Sequence, residues 1–205
     1  YLSPEIFVTL AEQTGLTSRL TALILEKVFE DLGEWLRQHP DMHVSVNLAP
    51  ADLVSSTLPP LLARLLNQWQ IPAAQIALEL TERGFADPLI SAPAIAGFRR
   101  AGHSVYIDDF GTGYSSLSYL QDLDIDTLKI DKSFVDALEY KNVTPHIIEM
   151  AKSLKLTMVA EGIETEGQLD WLRRHGVEYG QGWLYSKALP KEAFILWAEN
   201  NLDPE

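Results

Sequence analysis

The sequence contains no cysteine among its 205 residues. That excludes disulfides, thiolate metal sites and a cysteine nucleophile, and it suits a cytoplasmic setting. No apolar run approaches the roughly 18 residues that would span a bilayer, and no signal-peptide pattern opens the chain. Positive charge is scarce: 16 Lys and Arg stand against 29 Asp and Glu, a net charge of -13. Such a balance argues against a surface for a nucleic-acid polymer. It still allows one small phosphate ligand, because a bound metal inverts the local sign. Low-complexity tracts and linkers are also missing. What remains, 46% hydrophobic and 22% charged residues, is ordinary for one domain over 1–205 with a full core.

Helical and strand patterns alternate along the chain. Ser3 and Pro4 open a first helix that Gly15 ends. A longer helix runs from about Ser18 to Gln38, with Leu20, Ile24, Val28, Leu32 and Trp35 at helical spacing. Strands are expected at His43–Leu48, Ile76–Leu80, Ser104 onward, Thr127–Ile130, Thr157–Ala160 and Tyr179–Leu184. Helices are expected after Pro59-Pro60, over Pro88–Ala101, as a pair across Lys132–Leu156 broken near Lys141-Asn142, after a Thr165/Gln168 capping box, and after Pro190. Six such alternations predict a parallel sheet with helices outside it, in an open or a barrel form.

The stretch SVYIDDFGTGYSSLSYL, 104–120, carries the most chemistry. Val105, Tyr106 and Ile107 suit a strand, which is expected to end on Asp108 and Asp109. A loop with Gly111 and Gly113 follows, then a helical segment with Leu117, Tyr119 and Leu120. A lone Asp-Asp pair reads most simply as a solvated turn. Here, however, Asn47, Glu79, Asp108, Lys129, Glu161 and Gln181 each lie in or at the end of a different strand. Polar groups on six successive strands are hard to explain as core, and in a parallel barrel the carboxyl ends converge on one mouth. Adjacent carboxylates repel each other, so a cation is expected between them. Oxygen donors without histidine or cysteine select Mg²⁺ or Mn²⁺ over zinc, and Asp108 with Asp109 could bridge two ions. Lys129 either balances this charge or steadies an attacking water and the developing phosphorane. Glu161 could hold metal, take a proton from the water, or do both.

Six segments together resemble the EAL-domain family, the bacterial phosphodiesterases of cyclic di-GMP. They are VNLAP at 46–50, ELTER at 79–83, DDFGTGYSSLSYL at 108–120, LKIDKSFV at 128–135, AEGIET at 160–165 and YGQGWLYSKALP at 179–190. The resemblance implies an α/β fold, a modified TIM-like (β/α) barrel, and Mg²⁺- or Mn²⁺-dependent hydrolysis of cyclic di-GMP to linear pGpG, with Ca²⁺ inhibitory. It implies Asn47, Glu79, Asp108, Asp109 and Glu161 as metal ligands and Lys129 as the residue that positions water. Asp131 and Gln181 correspond to substrate-side groups, and Glu82 and Glu164 to loop anchors. A homodimer through the helix after DDFGTGYSS, an upstream sensory or GGDEF-type domain, and a parent anchored in the inner membrane with this domain facing the cytosol are implied at the same level. Departures are visible. The Glu-Ala-Leu segment that names the family is absent, together with the strand before it, and six strands fall short of the eight a closed barrel needs. The expectation is therefore a piece of a longer chain. Ala49 stands where the family often has serine, and Ala188 where it usually has proline. The alternative is an EAL-like module that binds cyclic di-GMP or a protein partner without turnover; such relatives lose carboxylates or the DDFGTG loop, and this chain keeps both.

Overall fold

The computed structural model describes residues 3–85, 87–111, 123–138 and 143–201. Six strands form one sheet: β1 Val44–Leu48, β2 Ile76–Thr81, β3 Val105–Phe110, β4 Thr127–Ile130, β5 Thr157–Ala160 and β6 Tyr179–Gly180. They are all parallel, and their spatial order is their sequence order. Parallel crossovers are right-handed. An order that never reverses therefore places every crossover helix on the same face and curls the sheet into part of a barrel. An open doubly wound sheet would need a reversal point.

Among the described residues the helices are α1 Pro4–Thr14, α2 Thr17–Gln38, α3 Leu58–Trp69, α4 Pro88–Arg100, α5 Lys132–Asp136, α6 Val143–Ser153, α7 Glu166–Arg174 and α8 Lys191–Asn201. Strand alternation sorts the side chains. Val46, Leu48, Ile76, Leu78, Leu80, Val105, Ile107, Leu128, Ile130, Met158 and Ala160 point outward and are buried. They form one cluster with Leu25 and Phe29 of α2, Leu62 and Leu65 of α3, Ile95 and Phe98 of α4, Ile148 of α6 and Leu172 of α7. The intervening residues, among them Ser45, Asn47, Glu79, Tyr106, Asp108, Thr127 and Lys129, face the concave side. The apolar core is thus outside the sheet, and the polar residues line its hollow. Among the described residues no helix is long and apolar enough to cross a membrane.

Several local expectations need correction. Ser3 occupies the N-cap of α1, but its side chain makes no capping bond; Gly15 does close the helix, at φ 68°. The Thr165/Gln168 capping box of α7 is present. β3 does not end on the aspartates. It continues to Phe110 with a shift in its register against β4 between Ile107 and Phe110. β6 is two residues long rather than six. Gly182 lies against the Ile163 backbone, where a Cβ would collide with its carbonyl oxygen and amide nitrogen. The chain there turns, with Tyr185 N–H donating to Gly182 O at 3.1 Å. The helical segment with Leu117, Tyr119 and Leu120, the loop at Gly113 and the break near Lys141-Asn142 lie outside the described residues.

Candidate metal and catalytic centre

Lys129 sits in the middle of the hollow. Its Nζ is 3.0 Å from Glu79 Oε2, 3.1 Å from Asp108 Oδ1 and 2.7 Å from Glu161 Oε1. Asp108 and Glu161 come from the chain segments flanking β4. Glu79 comes from β2, two strands away, and reaches the lysine because concave side chains converge as the sheet curls. Lys129 and Glu79 are only 4% and 5% exposed. Burial by itself would depress the Lys129 pKa; the opposing pull of Glu79, Glu161 and Asp108 outweighs it and holds the ammonium well above its usual range. Lys129 is therefore a fixed cation and never a base at physiological pH.

The carboxylates respond differently. Burial raises the Glu161 pKa most; Lys129 opposes that, Asp108 and Glu79 add to it, and the balance stays upward. Asp109 is also raised, by burial first and then by the negative charges of Asp108 and Asp131. One lysine does not neutralise this group of acids, so further positive charge is favoured.

Asp108, Asp109 and Glu161 offer oxygens that all lie within 4.8 Å of one another. Asp109 reaches this arrangement through a left-handed backbone, φ 54°, a conformation that Asp tolerates better than most residues. Its N–H donates to Asp108 Oδ1 at 3.0 Å. Three carboxylates without imidazole or thiolate fit a hard cation. Glu79 is linked to this trio through Lys129. Asn47 is exposed on the hollow's side of β1, in register with Glu79.

The remaining candidates surround this cluster. Gln181 lines a cavity of about 490 Å³ with Glu79, Tyr106, Lys129 and Tyr179; its backbone N–H donates to Ala160 O at 2.8 Å. Asp131 is the N-cap of α5, its Oδ1 accepting from the N–H and hydroxyl of Ser133. Glu82 is buried in the short turn after β2. Glu164 Oε1 lies 2.8 Å from Lys132 Nζ, which also holds Asp136 at 3.0 Å. Sequence reasoning passed over an aromatic slot beside Gln181. This second cavity, about 790 Å³, is lined by Trp183, Tyr185, Trp197 and Lys187, and Lys187 Nζ lies 4.7 Å from the Trp183 ring centroid. The aromatic density of GQGWLYSK was the available signal. The Tyr106 hydroxyl, 2.8 Å from His43 Nε2, was also missed.

A model described as the EAL domain matches residues 1–188. The chain is 68% identical over 202 residues to the probable cyclic di-GMP phosphodiesterase PdeB of Escherichia coli (strain K12), a match covering 98% of this chain and 39% of that protein. It is 37% identical to the cyclic di-GMP phosphodiesterase NbdA of Pseudomonas aeruginosa, over 94% of this chain and 25% of that one. The fold superposes on the PaMucR phosphodiesterase in its c-di-GMP complex with a TM-score of 0.88 at 32% identity, covering 94% of this chain and 81% of that one. For the EAL domain of Mycobacterium smegmatis DcpA the TM-score is 0.83 at 31% identity, covering 92% and 88%. The chain spans 39% or less of the length of the two curated relatives named.

Proposed function

The chain belongs to the EAL-domain family, and on that premise we propose that it is a metal-dependent phosphodiesterase that opens cyclic di-GMP to linear pGpG. The observation that carries this reading is the meeting of Asp108, Asp109 and Glu161 beside a buried, permanently charged Lys129. Asp108, Asp109 and Glu161 would hold the cation, with Glu79 and Asn47 completing the set. Bound there, Mg²⁺ or Mn²⁺, as one ion or a pair, would acidify a water and neutralise phosphate charge.

The chain's own groups do the rest. Lys129 donates a hydrogen bond to the water or to a phosphoryl oxygen, where charge builds in the transition state. Glu161, whose Oε1 lies 2.7 Å from Lys129 Nζ in this cluster, is assigned to take the water's proton. The water oxygen bonds to phosphorus as the bond from phosphorus to the 3′-oxygen breaks, and the leaving oxygen is protonated. Asp131 and Gln181 are assigned to the nucleotide, Glu82 and Glu164 to holding the surrounding loops. The aromatic slot around Trp183 offers a stacking surface for a purine. Ca²⁺ is expected to support binding without turnover. A homodimer, an upstream sensory or GGDEF-type domain and a cytosolic position belong to the same proposal.

The test is steady-state hydrolysis of cyclic di-GMP by the full-length protein in Mg²⁺ or Mn²⁺, beside calorimetric binding in Ca²⁺. Hydrolysis to pGpG is expected. Binding without hydrolysis in either metal would replace the enzyme with a receptor module.

A further inference from the structure

The segment that carries Glu161 crosses from β5 to α7 beside the start of α5. Two backbone bonds hold it: Glu161 N–H donates to Ile130 O and Ile163 N–H to Gln181 O, each at 3.0 Å. Gly162 lies between them with a left-handed backbone, φ 67°. A Cβ on Gly162 would collide with Cβ, Cγ and Cδ of Lys132. The lysine stem therefore lies directly against the residue that follows Glu161. That stem is fixed at both ends. At its root, Val135 of α5 is fully buried, Asp131 caps the helix, and the Phe134 ring lies against Gly111, where a Cβ would meet it at 2.8 Å. At its tip, Nζ donates to Glu164 Oε1 at 2.8 Å and to Asp136 Oδ1 at 3.0 Å.

Asp136 is one turn along the lysine's own helix, and such an exposed pair adds little to stability. Glu164 is different: it lies 32 residues away, on the segment that Glu161 opens. The Glu164 bond and the Gly162 contact thus tie α5 to that segment. We propose that Lys132 is a positioning residue for Glu161: its stem and its two carboxylate bonds fix the Gly162 backbone, and with it the place of the Glu161 carboxylate beside Lys129. The inference rests on the phosphodiesterase reading, in which a misplacement of about 1 Å costs about 10² in rate. Lys132 also lines the aromatic slot with Trp183, so direct contact with the nucleotide is the competing role. A contact with bound substrate shows itself in affinity, and a misplaced catalytic group in turnover.

The experiment compares Lys132→Ala with the wild type in the full-length protein. Lys27→Ala is the control, since Lys27 makes an exposed pair of the same kind with Asp31, at 2.9 Å on α2. With Mn²⁺ and cyclic di-GMP, kcat of Lys132→Ala should fall about tenfold or more, while KM and affinity for cyclic di-GMP in Ca²⁺ stay close to the wild-type values. Calorimetric Mn²⁺ affinity should fall about tenfold, as for loss of an outer partner of a metal ligand. The sign is decisive, because removing a cation near these carboxylates would by charge alone tighten Mn²⁺ binding. Lys132→Arg keeps Cβ, Cγ and Cδ and can bond both carboxylates, so it should restore both quantities. Lys27→Ala should change neither. Unchanged kcat, a loss confined to affinity for cyclic di-GMP, Mn²⁺ binding that is unchanged or tighter, or no rescue by Lys132→Arg would each overturn the proposal. A wild type that binds cyclic di-GMP without hydrolysing it would remove the enzyme reading instead, and the Mn²⁺ titrations would then decide the role of Lys132.

Discussion

Lys129 touches oxygens carried by β2, β3 and the segment after β5, so its removal tests charge and chemistry together. Lys129→Ala should lower turnover of cyclic di-GMP by about 10²–10³, the usual cost of one transition-state donor. Affinity measured in Ca²⁺ should change little, because the interaction strengthens only as charge develops. Near-normal turnover would reduce the lysine to a charge balancer. Glu79→Ala is the contrasting case: it should weaken metal binding, and excess Mn²⁺ should restore part of the rate. Calorimetric titration of Mn²⁺ beside the rate assay separates the two. At this scale the meeting of Glu79, Asp108 and Glu161 with Lys129 was legible, because a charged side chain inside a strand has few purposes in a core. Asp109 was legible as a residue but not as a shape. Nothing in Asp-Asp reveals that the second aspartate is left-handed.

β6 shows where pattern reading fails at the level of an element. The run from Tyr179 to Leu184 is expected as a strand, yet Gly182 is pressed on the Ile163 backbone and the chain turns away. The other five strands were legible because their outward residues are consistently apolar. Gly182→Ala should destabilise the fold on the order of 1–3 kcal/mol, the range for overpacking, measured by urea unfolding; an unchanged midpoint would mean that the loop yields. A second test concerns the junction of α4 with β3, where buried His103 faces Ile76 O. Burial lowers its pKa in the folded chain, so below the ordinary histidine value of about 6.5 the unfolded chain binds a proton that the folded chain refuses. Stability from this residue is therefore present above that pH and is lost as pH falls towards the folded value. Unfolding midpoints at several pH values between neutrality and the acid side should fall less steeply in His103→Gln than in the wild type. Parallel slopes would assign the acid sensitivity elsewhere.

The whole molecule carries a net charge of -13, and part of that excess is concentrated in the hollow of the sheet. Divalent cations should accordingly stabilise the native protein by mass action, about 2.7 kcal/mol at a hundredfold excess over the dissociation constant. Thermal unfolding in Mg²⁺ or Mn²⁺ should shift upward, and sodium chloride at the same ionic strength should not reproduce the shift. Equal shifts would mean general screening. The single parallel layer was legible at this scale from alternation alone. That it curls was inferred from six polar strand positions needing a common mouth. The division between the two faces has a consequence for substitution. Residues that hold the helices and residues that meet the ligand alternate along each strand without sharing a neighbourhood. Under the proposed function, substitutions on the concave set would alter the site while leaving the apolar packing of the convex side in place.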